Sequence, residues 1–140
     1  MQPKFRLCSG LALAVCLGTS LSARAEVSEV LVATLQSAPW GWPDGEHTCA
    51  LDPQTIAFSP DRATMKFTWM TSGTLATYRV LYFEGDTLTA YIEGEDRLTE
   101  HGDRVIWVLK LQDKDHFCWR RTDWPSHACT QDQVRCVPRG

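Results

Sequence analysis

The chain has 140 residues, 44% of them hydrophobic and 22% charged, with a formal net charge of −3. An acidic balance of this kind argues against a generic nucleic-acid binder, which needs a net basic face. After the first 25 residues there is no second long apolar run, so no membrane span is expected.

Residues 1–25 read as an export leader. Lys4 and Arg6 supply a basic start, Leu7 to Gly18 an apolar stretch too short for a stable anchor, and Ala23-Arg24-Ala25 a small-residue cleavage pattern. Glu26 would be the new N-terminus. A lipoprotein signal at Cys16 fits less well, because Val15 stands where a small residue is wanted. Removing Lys4, Arg6 and Arg24 leaves 11 basic against 17 acidic residues, so residues 26–140 carry a charge of −6 and suffice for one exported domain.

Val27, Val30, Leu31 and Leu35 recur at helical spacing, and Pro39 closes the segment, which predicts a helix over Ser28 to Gln36. A turn-rich stretch follows, Pro39-Trp40-Gly41-Trp42-Pro43-Asp44-Gly45, running through Cys49 to Asp52-Pro53.

Beyond Pro53 the period changes to two. Strands are expected at Thr55–Ser59 and Ala63–Thr71, joined by Pro60-Asp61-Arg62. Next come Leu75–Glu84, with Tyr78, Val80 and Tyr82 sharing a face, and Thr87–Glu93, with Leu88, Ala90 and Ile92 sharing one. A short strand is expected at Arg97–Glu100, then Arg104–Gln112 with Val105, Trp107, Leu109 and Leu111 aligned, then His116–Thr122. The tail carrying Cys129 and Cys136 reads as loop. The acidic group Glu93, Glu95, Asp96 and Glu100 reads as a solvated rim rather than a carboxylate pair for glycoside hydrolysis.

Short turns between successive strands require antiparallel neighbours. The expected fold is therefore mainly β: a meander of about six or seven strands forming a small barrel or strongly curved sheet, with a short N-terminal helix and a disulfide-tied tail. Helix, then Leu35 and Trp40-Gly41-Trp42, then meander resembles a lipocalin or calycin-like barrel. That family usually carries Gly-x-Trp at its first strand, where this chain has Ala38-Pro39-Trp40.

Three of the four histidines stand two residues before a cysteine, in His47-Thr48-Cys49, His116-Phe117-Cys118 and His127-Ala128-Cys129. Two readings compete. In an oxidising compartment Cys49, Cys118, Cys129 and Cys136 form two disulfides, and the expected pairing is Cys49 with Cys118 and Cys129 with Cys136. Alternatively, residues two apart on a strand share a face, so the His-x-Cys pairs could hold zinc or copper. The spacing matches no recurrent zinc pattern, which leaves disulfides favoured.

No catalytic arrangement stands out, and no cofactor or metal site is assigned. Cys118 as a nucleophile would need a free thiol beside His116. Trp119-Arg120-Arg121-Thr122-Asp123-Trp124 could bind a ligand through its arginines, or could be a terminal strand with Trp119 in the core and Arg120 paired to an acid. The expectation is an exported, non-enzymatic binding protein for a small molecule or a protein partner. Trp69, Tyr78, Trp107, Trp119 and Arg121 are the candidate ligand-binding residues.

Overall fold

The computed structural model describes residues 19–130 and 132–137, with side chains described from Ser28 onward. Most of the proposed leader, residues 1–18, lies outside that range. Helix α1 spans Thr19–Gln36, beginning nine residues before the expected start and running through the Ala25–Glu26 junction. Among its described side chains, Leu31, Val32 and Leu35 are buried, a one-turn stripe of the kind that docks on a core. Val30, assigned to the same stripe by spacing, points to solvent instead.

Eight strands follow: β1 (Trp40–Gly41), β2 (Gln54–Phe58), β3 (Thr64–Trp69), β4 (Leu75–Glu84), β5 (Thr87–Ile92), β6 (Trp107–Asp113), β7 (His116–Arg121) and β8 (Gln133–Arg135). All neighbours are antiparallel, and β8 pairs with both β7 and β1, so the meander closes into a barrel. Closure is the part that alternation could not show. The tail expected to be loop supplies β8, because a three-residue strand is too short to display a period. Arg97–Glu100, expected as a strand, makes only the isolated bridge Leu98↔Arg104.

Chain direction gives the barrel two unlike ends. The turns at residues 59–63, 85–86 and 114–115 lie at the end where α1 enters β1. The connections at residues 42–53, 70–74, 93–106 and 122–130 lie at the opposite end, which we call the mouth. The helix end is filled: Leu31 and Leu35 join Trp40, Ile56, Met65, Leu88, Leu109 and Phe117 in one buried cluster. Arg62 is tied to α1 by an ion pair with Glu29, and Gln36 Oε1 accepts the Phe58 backbone N–H at 2.8 Å.

Inward positions follow the expected period in β2, β3, β5 and β6. In β4 a bulge between Val80 and Tyr82 resets it. Tyr78 and Val80 face the core, but beyond the bulge Phe83 takes the inward place and Tyr82 is exposed. Spacing alone had put Tyr82 on the Tyr78 face. A single extra residue reverses every later side chain of a strand.

The disulfides are Cys49–Cys136 and Cys118–Cys129, correcting the expected pairing. The pairing follows from closure. Cys136 leaves β8 beside β1, where its backbone N–H donates to the Pro39 carbonyl at 2.8 Å, and Cys49 lies across Gly41. Cys118, on the outer face of β7, is met by the chain returning from residue 122, with the Thr130 N–H donating to the Trp119 carbonyl at 2.6 Å. Gly41 is needed for the first of these approaches. A Cβ there would stand 2.4 Å from the Cys49 backbone nitrogen.

Candidate functional site

Above the filled end the barrel opens into a cavity of about 370 Å³. Its walls are largely aromatic: Trp42, Phe67, Trp69, Tyr78, Trp107 and Trp119. Each arrives there for a local reason. Phe67 and Trp69 are alternate inward residues of β3, Tyr78 precedes the β4 bulge, Trp107 opens β6, and Trp119 is two residues beyond the buried Phe117 on β7. Tyr78 and Trp119 stack with centroids 5.1 Å apart and planes 12° from parallel, Phe67 packs against both, and Trp107 meets Trp119 edge-on. Such contacts hold large rings in fixed orientations.

Four of the five residues expected to bind a ligand therefore line one cavity. Arg121 does not. It forms a two-pronged pair with Asp123, at 2.9 and 2.7 Å, beside Trp124 and His101 in a separate polar cleft. Arg120, expected to pair with an acid across the sheet, makes no ion pair among the described residues, and its guanidinium donates to the Arg121 carbonyl.

The remaining lining comes from Ile92, Arg97, Thr130, Gln54 and Gln133, none of which was among the expected ligand-binding residues, nor were Trp42 and Phe67. Ile92 ends β5 on the face that alternation gave to Leu88 and Ala90, whereas Arg97 and Thr130 stand in connections near the mouth, outside any readable alternation. Gln54 occupies an inward position of β2, one residue before the expected strand start, and Gln133 an inward position of β8, which is too short to show a period, so neither carried a readable signal. They bond to one another across the short β1, Gln54 Nε2 donating to Gln133 Oε1 at 3.0 Å.

Two carboxylates structure the mouth. Glu95 is turned inward, with its side chain only 8% exposed, unlike Glu93 and Asp96 beside it. This corrects its assignment to the solvated rim. Its Oε2 accepts the Trp107 indole N–H at 2.9 Å, while Oε1 meets the Arg97 guanidinium in an ion pair that lacks hydrogen-bond geometry. Arg97 in turn lies 5.7 Å from the Trp107 ring centroid. Asp52 ties the first long loop to the β3–β4 turn through the Thr71 N–H at 2.7 Å and the Ser72 hydroxyl at 2.9 Å. Burial pushes the Asp52 pKa up. The bonds from Thr71 and Ser72 and the nearby His47 outweigh it and leave the group below the usual carboxylate value.

His47 packs edge-on against both Trp42 and Trp69, and its Nδ1 lies 3.3 Å from Asp52 Oδ2. Among the described residues, His47 Nδ1 and the Trp69 indole N–H both lack a hydrogen-bond partner. Deeper in the cavity, burial and the Glu95 charge push the Tyr78 hydroxyl up to about 12, with Arg97 opposing. The phenol is therefore neutral at physiological pH.

The His-x-Cys pairs supply no thiolate, because Cys49, Cys118 and Cys129 are all consumed in disulfides. Cys118 likewise offers no free nucleophile. Among the described residues no cluster of three or more His, Cys, Asp or Glu could hold a metal. Nor is any helix there long and apolar enough to cross a membrane. Comparison with protein-family models, curated proteins and solved structures gave no significant match.

Proposed function

We propose that the chain is an exported, lipocalin-like binding protein that holds a small, flat, largely apolar molecule in the mouth of its barrel. The observation that carries this reading is the aromatic-walled cavity of about 370 Å³ above a filled barrel floor. That volume falls within the range typical of small-molecule sites, which combine apolar walls with a few placed polar groups. The two disulfides suit an oxidising periplasmic or extracellular setting, consistent with the leader read at residues 1–25.

Binding here requires no chemistry from the protein. Stacking on Tyr78, Trp107 and Trp119 and release of water from apolar walls provide the attraction. The test is a titration with naphthalene followed by tryptophan fluorescence, on the natural chain and on Ile92→Trp, which places a large ring into the cavity. Saturable binding to the natural chain that Ile92→Trp abolishes without loss of fold is expected. Equal binding by both proteins, or none by either, contradicts the assignment.

A further inference from the structure

The cavity holds a polar edge that its aromatic walls do not explain. Gln54 and Gln133 are each only 5% exposed, and both line the cavity. Between them they make one hydrogen bond, from Gln54 Nε2 to Gln133 Oε1. Gln54 Oε1 and Gln133 Nε2 have no protein partner among the described residues, yet neither is sealed away as a buried orphan. With both residues so nearly enclosed, these atoms open to the cavity.

A buried amide without partners is costly, so an edge of this kind is satisfied by water or by an occupant. Its pattern is one acceptor beside one donor. The pattern survives the usual ambiguity of amide orientation. Turning both amides over reverses the bond between them and leaves Gln54 offering a donor and Gln133 an acceptor.

We propose that the occupant is a neutral planar heterocycle carrying a hydrogen-bond donor and acceptor side by side on one edge, as in a lactam ring. The proposal rests on reading the cavity as a small-molecule site. The ring lies among Tyr78, Trp107 and Trp119, and its N–H and C=O meet the Gln54–Gln133 pair. Neutrality is favoured because the charges at the mouth are already engaged, Glu95 with the cavity-lining Arg97 and Asp52 with Thr71 and Ser72, so neither an anion nor a cation finds an unpaired counter-charge there. Paired donor and acceptor contacts in a closed site discriminate strongly, since a ligand lacking one group strands its buried partner.

The experiment compares 2-quinolone with N-methyl-2-quinolone by calorimetric titration. The two share ring and carbonyl, and the second lacks the donor. A preference of about tenfold or more for 2-quinolone is expected. The double variant Gln54→Met/Gln133→Met, which keeps side-chain length and removes both amides, is expected to erase the preference while keeping the circular dichroism of the natural chain. Equal affinity for the two quinolones in the natural chain overturns this inference and leaves the cavity reading standing if naphthalene binds. Failure of naphthalene as well removes both. A preference that persists in the double variant also overturns the inference, because the donor is then read elsewhere. If the double variant does not fold, the single variants Gln54→Met and Gln133→Met are read in the same way, and a preference undiminished in both overturns the inference.

Discussion

The indole N–H of Trp40 donates to the Leu35 carbonyl at 2.9 Å, within a region where both residues are fully buried. This bond joins the last turn of α1 to the first residue of β1. It also satisfies a carbonyl at the helix terminus, where intrahelical partners run out. The Trp40 ring then meets Phe117 edge-on at 4.9 Å, so helix, first strand and seventh strand share one anchor. The floor beneath the cavity is built on it.

Trp40→Phe keeps most of the ring and loses the bond, and is expected to cost about 1–2 kcal/mol of stability. Trp40→Ala also empties the floor and is expected to cost about 3–5 kcal/mol. Urea unfolding midpoints measure the order. Equal losses from the two variants would show that the hydrogen bond, rather than ring packing, holds the floor.

Gly41→Ala is expected to destabilise the barrel by roughly 1–3 kcal/mol, from overpacking alone. The added Cβ would meet the backbone of Thr48 and Cys49, which cannot move aside as a flexible side chain would. Thermal unfolding of the oxidised protein checks this. An unchanged midpoint would mean that the first long loop does not press on β1.

The two disulfides differ in what they span. Cys49–Cys136 joins residues 87 apart, and Cys118–Cys129 residues 11 apart. On the chain-entropy account, replacing the first pair with serine costs about 4–5 kcal/mol and the second about 3 kcal/mol. Paired denaturant titrations of the two double variants test the order, and a larger loss from the short loop would contradict it.

Much of this architecture is legible in the sequence. Met65, Phe67 and Trp69, or Trp107, Leu109 and Leu111, show their shared face through alternation, and the cavity walls follow from it. Other features are carried by contacts between distant residues. The β4 bulge changes which of Tyr82 and Phe83 points inward without altering the local pattern. The strand at Gln133–Arg135 exists because β1 and β7 leave it a place. The disulfide pairing depends on that closure, so Cys49 finds Cys136 rather than Cys118. Glu95 looked like its acidic neighbours until the Trp107 indole gave it a partner.

Tyr78 should report its surroundings through alkaline titration. Its folded-state pKa is raised to about 12 from an ordinary value of 10.0, chiefly by burial. Raising the pKa of an acid favours the neutral form in the folded state. The stabilising contribution is therefore complete below about pH 10 and is lost as pH rises towards 12, amounting to roughly 2–3 kcal/mol. Ultraviolet titration should show a phenolate step near pH 12 that Tyr78→Phe removes. If the step that Tyr78→Phe removes lies near pH 10 instead, the hydroxyl is not buried.

The central claim is that the mouth of the barrel receives a small planar molecule. The most direct measurement follows the indole N–H resonances of the six tryptophans during titration with naphthalene. The predicted result is saturable movement at Trp42, Trp69, Trp107 and Trp119, which line the cavity, with Trp40 in the floor unmoved. The absence of saturable movement at those four, or movement confined to Trp124 in the separate polar cleft, would contradict it.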